Sequence, residues 1–198
     1  TWHSREACFV ARARAWLAER TLRRLHVTWR EDVRKWHPGQ DWVWEPGGMG
    51  VFDPGINALS IVTEILAEPI HLTRARLEVP GNRQTPIGAW LDFHHPTGAD
   101  VTADFDWRQT GDQTWAIDVE TQEGTLNLSQ GGGALLIDGI PQSPPAQVSP
   151  YHEYAGLYAR MAKLVRGRAS DVDLAPMRHV ADAFTLGQRV SVEDFHWS

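Results

Sequence analysis

The chain has 198 residues and a net charge of −6 with neutral histidines. This length allows one sizeable core, since a 150-residue chain already buries roughly 70% of its surface. The acidic balance argues against nucleic acid as a partner, because a phosphate backbone is bound by a basic surface. No apolar run approaches the roughly 20 residues that a membrane helix needs. The single cysteine, Cys8, excludes an internal disulfide and fits a reducing compartment, so we expect a cytoplasmic protein without a membrane segment.

Three elements are predicted in the first 50 residues. Ser4 is placed as the N-cap of a helix whose apolar positions continue to Leu17. Residues 24–30 alternate polar and apolar side chains, which is the pattern of a half-buried strand. Residues 32–50 are rich in tryptophan, glycine and proline, and they predict a long ordered loop. Loops of this length inside a compact domain usually have a function.

The rest of the chain predicts a buried helix, a row of strands and two terminal helices. An apolar helix begins at Asp53-Pro54-Gly55 and extends to Leu66. Turn sequences separate six runs of strand character, at residues 71–80, 86–94, 100–109, 114–120, 124–129 and 134–138. A Pro/Ser linker at 141–150 precedes helices at 151–166 and 176–186, with Gly187 as the stop. The predicted fold is α+β, with an open, mostly antiparallel sheet that continues as a meander and carries helices on one face.

Two kinds of motif are missing from the sequence. Neither residues 48–50 nor residues 131–133 have the G-x-G-x-x-G spacing of a dinucleotide cradle. The histidines show no H-E-x-x-H spacing, and His94-His95 falls at a hairpin tip, where a solvated turn is expected. We therefore predict neither a metal site nor a nucleotide cradle in this chain.

The side chains suited to chemistry gather around the long loop. Glu31, Trp36 and His37 precede Asp53 and Asn57, which are four residues apart and so share one face of the predicted helix. A second interpretation stays open, because an aspartate before proline is also a common helix cap and loop tryptophans often pack in a core. A tryptophan ring flanked by hydrogen-bonding groups is also suited to the apolar C–H face of a sugar.

Several motifs, in the right order along the chain, carry a resemblance to a known family. Residues 47–57 read GGMGVFDPGIN, which is similar to the G-G-x-x-x-D-x-G-x-H helix of the Gfo/Idh/MocA oxidoreductases. Asn57 stands where many members of that family have histidine. The narrower resemblance is to the bacterial L-arabinose and D-galactose 1-dehydrogenase group, and it rests on residues 1–6, 36–40, 44–48, 104–111 and 179–184.

The resemblance implies a two-domain enzyme of which this chain is the substrate domain. An N-terminal Rossmann domain would carry the NADP or NAD fingerprint and a catalytic lysine in an E-K-P motif, neither of which is in this sequence. Within the chain we expect a hinge and first helix at 1–22 and the sheet with the active-site loop and helix at 23–140. The linker and helices at 141–198 would pack toward the Rossmann domain. A homodimer through the open face of the sheet is a further expectation.

The implied reaction is that of an aldose 1-dehydrogenase, which passes hydride from C1 of L-arabinose or D-galactose to NAD(P)+ and forms an aldonolactone. Asp53 would be the acid/base group, with a pKa lowered by the helix N-terminus and by the other domain's lysine, so the two would share a proton. The implied substrate-binding residues are His3, Glu31, Trp36, His37, Asn57 and Trp115. The alternative is a non-catalytic module for sugar binding or dimerisation, which an upstream E-K-P lysine would exclude.

Overall fold

A nine-stranded sheet forms the frame of the structure, a computed structural model that describes residues 2–145 and 152–197. The strands are β1 (Leu22–Arg30), β2 (His71–Pro80), β3 (Gly88–His94), β4 (Asp100–Asp106), β5 (Thr114–Thr121), β6 (Thr125–Ser129), β7 (Ala134–Ile137), β8 (Ile140–Pro141) and β9 (Gln188–Val192). Their order in the sheet is β8-β7-β6-β5-β1-β4-β3-β2-β9. Two neighbouring pairs, β1–β4 and β2–β9, are parallel, and the other pairs are antiparallel.

Helices cover one face of this sheet, as the sequence predicts. The five α-helices among the described residues are α1 (Val10–Leu17), α2 (Val33–Trp36), α3 (Phe52–Ile65), α4 (His152–Gly167) and α5 (Ala175–Leu186). Helix α3 is central, because it is buried along most of its length and packs against α1, α5 and β1. Pro54 is accommodated in its first turn, where backbone N–H groups have no partner within the helix. The predicted α+β class and the mostly antiparallel sheet are confirmed.

The position of β1 corrects the predicted meander. Strand β1 lies between β4 and β5, parallel to the first and antiparallel to the second, so the step from β4 to β5 is not a hairpin. Leu25 and Val27 are almost fully buried on the helix side, which explains why this strand takes a central position. Because β1 and β4 are parallel, both end at the same edge, with Arg30 opposite Asp106.

One expectation at the N-terminus is wrong, and one strand near the C-terminus was not predicted. Ser4 makes no side-chain cap; it lies buried in a 3-10 turn at His3–Glu6, and α1 begins only at Val10. Residues after Gly187 form β9, which pairs with β2. Half-buried Val190 and Val192 alternate there with exposed Arg189 and Ser191, but the run is only five residues long and none of its side chains is fully buried. Part of the predicted linker, at 146–150, lies outside the described residues.

The hairpin tip at His94-His95 is solvated only in part. His94 is exposed, but His95 is 4% exposed, and its Nδ1 lies 2.8 Å from the Thr97 hydroxyl. The turn folds this ring inward, which the sequence does not indicate.

No helix in the described part of the chain is long and apolar enough to cross a bilayer. Within residues 2–145 and 152–197, no three His, Cys, Asp or Glu side chains form a group that fits a metal ion.

Candidate active site

The candidate site forms where β1 and β4 end beside the first turn of α3. The entry into this helix is held by a hydrogen bond from the Val51 amide to the Pro86 carbonyl, 2.7 Å long. Gly50 has a φ of +54°, and a Cβ there would come within 2.4 Å of the same carbonyl oxygen. Glycine is therefore required for this close approach. The tight entry places Asp53 at the edge of the sheet, next to the loop.

Asp53 is not a helix cap, which was the second interpretation of this residue from the sequence. Helix α3 begins after Val51, and no side chain accepts a hydrogen bond from the backbone at this end. The carboxylate instead lies beside the loop, with its Oδ2 3.3 Å from Nε2 of His37. Burial raises the pKa of Asp53 and the adjacent imidazole opposes the rise. The pKa of Asp53 is therefore raised in this chain and not lowered as the sequence predicts, because burial removes water from the carboxylate.

Glu31 is a buried carboxylate between two indoles. It is 5% exposed, and its Oε1 accepts a hydrogen bond from Nε1 of Trp107 at 3.2 Å. Its Oε2 accepts another from Nε1 of Trp115 at 2.9 Å. Burial raises the pKa of Glu31, while these two donors act in the opposite direction. The side chain therefore holds two rings in place.

Two of the predicted aromatic residues pack together, Trp36 exposed and Trp115 half-buried. The Trp36 ring lies 5.5 Å from that of Trp115, edge to face, and its Nε1 donates to Oε1 of Gln113 at 3.3 Å. Trp36 is 45% exposed, so its free face is open to a ligand. Trp44 behaves differently, since it is 2% exposed and belongs to the core. Core packing therefore describes Trp44, whereas the exposed Trp36 keeps a surface on which a ligand could stack.

The structure brings Glu31, His37 and Asp53 together but leaves His3 elsewhere. His3 Nδ1 lies 2.7 Å from Glu153 Oε2, and its ring stacks on that of Tyr154 at 5.1 Å. Both partners belong to α4. Asn57 is half-buried one turn beyond Asp53. Its amide group has no hydrogen-bond partner in the described part of the chain and is available to a ligand.

Sequence reasoning missed several residues that hold this site. Trp107 and Gln113 follow β4 and precede β5, and each binds a residue on the loop side. The alternation of β4, carried one step beyond Phe105, would have pointed Trp107 inward. Gln40 offers Oε1 to both His37 and Trp42, at 3.4 Å and 3.2 Å. No spacing rule signals that contact.

The C-terminal residues also support the loop. Phe195 is 4% exposed and packs on the Trp44 ring with centroids 4.7 Å apart. Asn82 exchanges two hydrogen bonds with the Phe195 backbone, at 2.9 and 3.0 Å. Trp197 donates from Nε1 to Asp41 Oδ1 at 2.9 Å. These contacts join residues far apart in the chain, so only the folded structure reveals them.

Comparison with known proteins finds galactose 1-dehydrogenases among the proteins that are similar to this chain. No protein-family model matches the chain. The galactose 1-dehydrogenase of Pseudomonas fluorescens is 50% identical over 187 residues, which cover 94% of this chain and 60% of that protein. A crystal structure of a D-galactose-1-dehydrogenase protein from Rhizobium etli is 54% identical with a TM-score of 0.93, covering 99% of this chain and 62% of the other. A 3-ketoreductase from Actinomadura kijaniata, 12% identical with a TM-score of 0.75 over 97% of this chain and 63% of the other, shares the fold.

These similarities concern both the fold and the more similar relatives of the chain. The fold is one that occurs in oxidoreductases. The chain is similar to galactose 1-dehydrogenases, which confirms the D-galactose part of the resemblance identified from the sequence. It spans about 60% of the length of these relatives.

The burial of Glu31 predicts a pH-dependent stability. In the folded chain its pKa is raised above the ordinary 4.5, so the folded chain keeps this proton to higher pH than the unfolded chain. Stability therefore falls as pH rises through that interval. We expect the difference in unfolding free energy between Glu31→Gln and wild type to move in favour of the variant from about pH 4 to about pH 7.

Chemical denaturation at several pH values measures this difference. Glu45→Gln is the control, because it removes an exposed carboxylate from the same loop and reports the charge change alone. A Glu31→Gln difference that is constant with pH, or that moves in favour of wild type, contradicts the predicted effect of burial.

Proposed function

We propose that this chain is the sugar-binding part of an aldose 1-dehydrogenase. Its substrate would be D-galactose or L-arabinose, oxidised at C1 to the aldonolactone with NAD+ or NADP+ as hydride acceptor. The identity to galactose 1-dehydrogenases supports the substrate class. The observation that carries the proposal is the contact of Asp53 with His37 beside the exposed ring of Trp36. The contact and the ring are linked through Glu31, which binds the Trp115 ring that packs on Trp36 and whose charge neighbours are His37 and Asp53.

The chemistry assigned to each residue follows from its surroundings. Trp36 and Trp115 would receive the C–H face of the sugar, since large rings bury apolar area at low entropic cost. The free amide of Asn57 can both donate to and accept from hydroxyl groups. Asp53 would accept the proton of the C1 hydroxyl, because its raised pKa brings it nearer to the range of an effective base. His3 would bind a sugar hydroxyl from its position beside α4.

The nicotinamide cofactor would supply the hydride acceptor at C1. The described residues do not fit its pyrophosphate, since the glycines at 131–133 lead from β6 into β7 and not into a helix. We propose that a nucleotide-binding Rossmann domain holds it, together with the catalytic lysine that the resemblance implies. The greater length of the relatives supports such a domain.

Two exposed surfaces fit the partners that this proposal needs. Helix α4 carries an apolar stripe at the helical spacing of 4, 3 and 4 residues, formed by Tyr154, Tyr158, Met161 and Val165. Exposed stripes of this kind mark interaction surfaces, and we assign this one to the nucleotide-binding domain. The open face of the sheet instead carries paired opposite charges around Trp90, at Arg30–Asp104, Arg74–Asp92 and Arg108–Glu78. A surface with both signs can match a rotated copy of itself, which fits a homodimer.

The first test concerns Asp53 and Asn57 in the protein that includes its nucleotide-binding domain. Asp53→Asn should lower kcat for sugar oxidation by roughly 10²–10⁴, the range for loss of a general base. Asn57→Ala should mainly raise KM for the sugar, because it removes a hydroxyl contact. Steady-state kinetics with D-galactose and L-arabinose measures both, and it also separates the two substrates. Full kcat in Asp53→Asn would reject the catalytic role and leave sugar binding alone.

A second prediction concerns stacking on Trp36. Trp36→Ala should raise KM for the sugar roughly 5–30-fold, which corresponds to 1–2 kcal/mol of lost apolar contact. Trp16→Ala is a matched control, since both rings lie under a cation, Lys35 over Trp36 and Arg20 over Trp16. Trp16 is on α1, away from the loop, so its loss should leave KM for the sugar unchanged. Equal effects of the two substitutions on KM would refute stacking.

A third prediction separates the two surfaces. Tyr158→Glu places a carboxylate on the stripe of α4 and should loosen the nucleotide-binding domain, so limited proteolysis should cut between the two parts faster. Trp90→Glu places one on the open sheet and should shift sedimentation from dimer to monomer. Each variant is the control for the other, because each should leave the other measurement unchanged. Dimers that persist in Trp90→Glu would exclude this face.

A further inference from the structure

Gln40 lies between two rings of the loop and contacts both with one atom. Its Oε1 accepts a hydrogen bond from Nε1 of Trp42 at 3.2 Å and lies 3.4 Å from Nδ1 of His37. On the other side of the His37 ring, Nε2 lies 3.3 Å from Asp53 Oδ2. The Trp107 ring packs on the imidazole with centroids 5.2 Å apart. The imidazole is therefore held from several directions.

The donor in Trp42 determines how the amide of Gln40 is oriented. An indole N–H only donates, so the amide oxygen and not its NH₂ group must face Trp42. The same oxygen faces Nδ1 of His37, and an oxygen acceptor requires a hydrogen on that nitrogen. In a neutral imidazole the second nitrogen then carries none.

We propose that Gln40, oriented by Trp42, is a positioning residue that keeps the hydrogen of neutral His37 on Nδ1, so that Nε2 and the Asp53 carboxylate act together as the proton acceptor. The catalytic part of this statement rests on the proposed function. The hydrogen bonds that set the tautomer come from this chain.

The tautomer changes the strength of the base. With Nε2–H, His37 would donate to the Asp53 carboxylate and make it a weaker acceptor. With Nδ1–H, Nε2 carries a lone pair 3.3 Å from Oδ2 of Asp53, so the two atoms together can bind one proton.

The step balances as a proton and hydride transfer. The C1 hydroxyl gives its proton to Asp53, where Nε2 of His37 shares it, while the C1–H electron pair leaves as hydride to the nicotinamide cofactor and C1=O forms. The charged groups around His37 and Asp53 affect how readily these two residues bind a proton. Glu31, at the end of β1, faces both members, and its negative charge favours the protonated pair. Asp41, on the same loop, is paired with Arg83 at 3.2 Å.

The experiment begins with the tautomer in the 198-residue chain. Nitrogen NMR of ¹⁵N-histidine-labelled chain, above the pH at which the pair loses its proton, should show the His37 hydrogen on Nδ1. In Gln40→Leu, which lacks the acceptor, it should move to Nε2, and Gln40→Glu should retain the wild-type form. Trp42→Phe keeps a ring but removes the donor, so the amide can turn and the Nδ1–H fraction should fall. His95, bonded to Thr97, is an internal reference that should not change.

The second measurement is the pH dependence of kcat/KM in the protein that includes its nucleotide-binding domain. Wild type should lose activity on the acid side, where the proton acceptor is already protonated. Gln40→Leu should shift this limb at least one pH unit lower and reduce kcat roughly tenfold, with KM for the sugar changed less. Gln40→Glu should restore much of the wild-type profile.

The outcomes separate this inference from the proposed function. A His37 hydrogen on Nε2 in the wild type, or a tautomer that does not respond to Gln40→Leu or Trp42→Phe, overturns the inference even if sugars are oxidised. The predicted tautomer in a protein that oxidises no sugar rejects the function and leaves the tautomer assignment standing. If Gln40→Leu does not fold, Trp42→Phe decides the matter, because it leaves Gln40 in place.

Discussion

The buried carboxylate of Glu31 organises the candidate site. Glu31 follows β1, which lies between β4 and β5, and it reaches one indole associated with each neighbour, Trp107 after β4 and Trp115 on β5. A carboxylate held away from water is stable only when its oxygens are satisfied, and two indole N–H groups do this. Three neighbouring strands are thereby joined at one edge. The parallel pairing of β1 with β4 is what makes this geometry available.

The two rings that Glu31 holds support different parts of the candidate site. The Trp107 ring supports the imidazole of His37, which faces Asp53. The Trp115 ring supports the exposed Trp36. Proton transfer and sugar stacking would thus depend on one buried anchor, so a substitution at Glu31 should affect both. The orientation of His37 depends in addition on Gln40, which belongs to the loop alone.

The outer surfaces differ in the kind of partner that they suit. The stripe on α4 is apolar, and α4 has no buried residue in the described structure, which fits a helix that awaits a large apolar contact. The open face of the sheet is charged and carries arginine–carboxylate pairs. Such exposed pairs contribute little stability individually, so their arrangement suits specificity of association more than strength.

Local patterns in the sequence determined most of the elements. The alternation of β1, the apolar residues of α3 and the turn sequences between strands depend on neighbours in the chain, and the class of fold follows from them. The four-residue spacing within residues 47–57 was also enough to put Asp53 and Asn57 on one helix face. Sequence similarity, rather than geometry, indicated the sugar dehydrogenases.

The tertiary structure decided everything that depends on distant residues. The insertion of β1 between β4 and β5, the strand β9 and the support of the loop by Phe195 join segments that no local pattern connects. The pKa of Asp53 was expected to fall from its position in the helix, and it rises because burial removes water from the carboxylate. Burial is a property of the assembled fold, so it cannot be read from the residues that flank an acid in the chain.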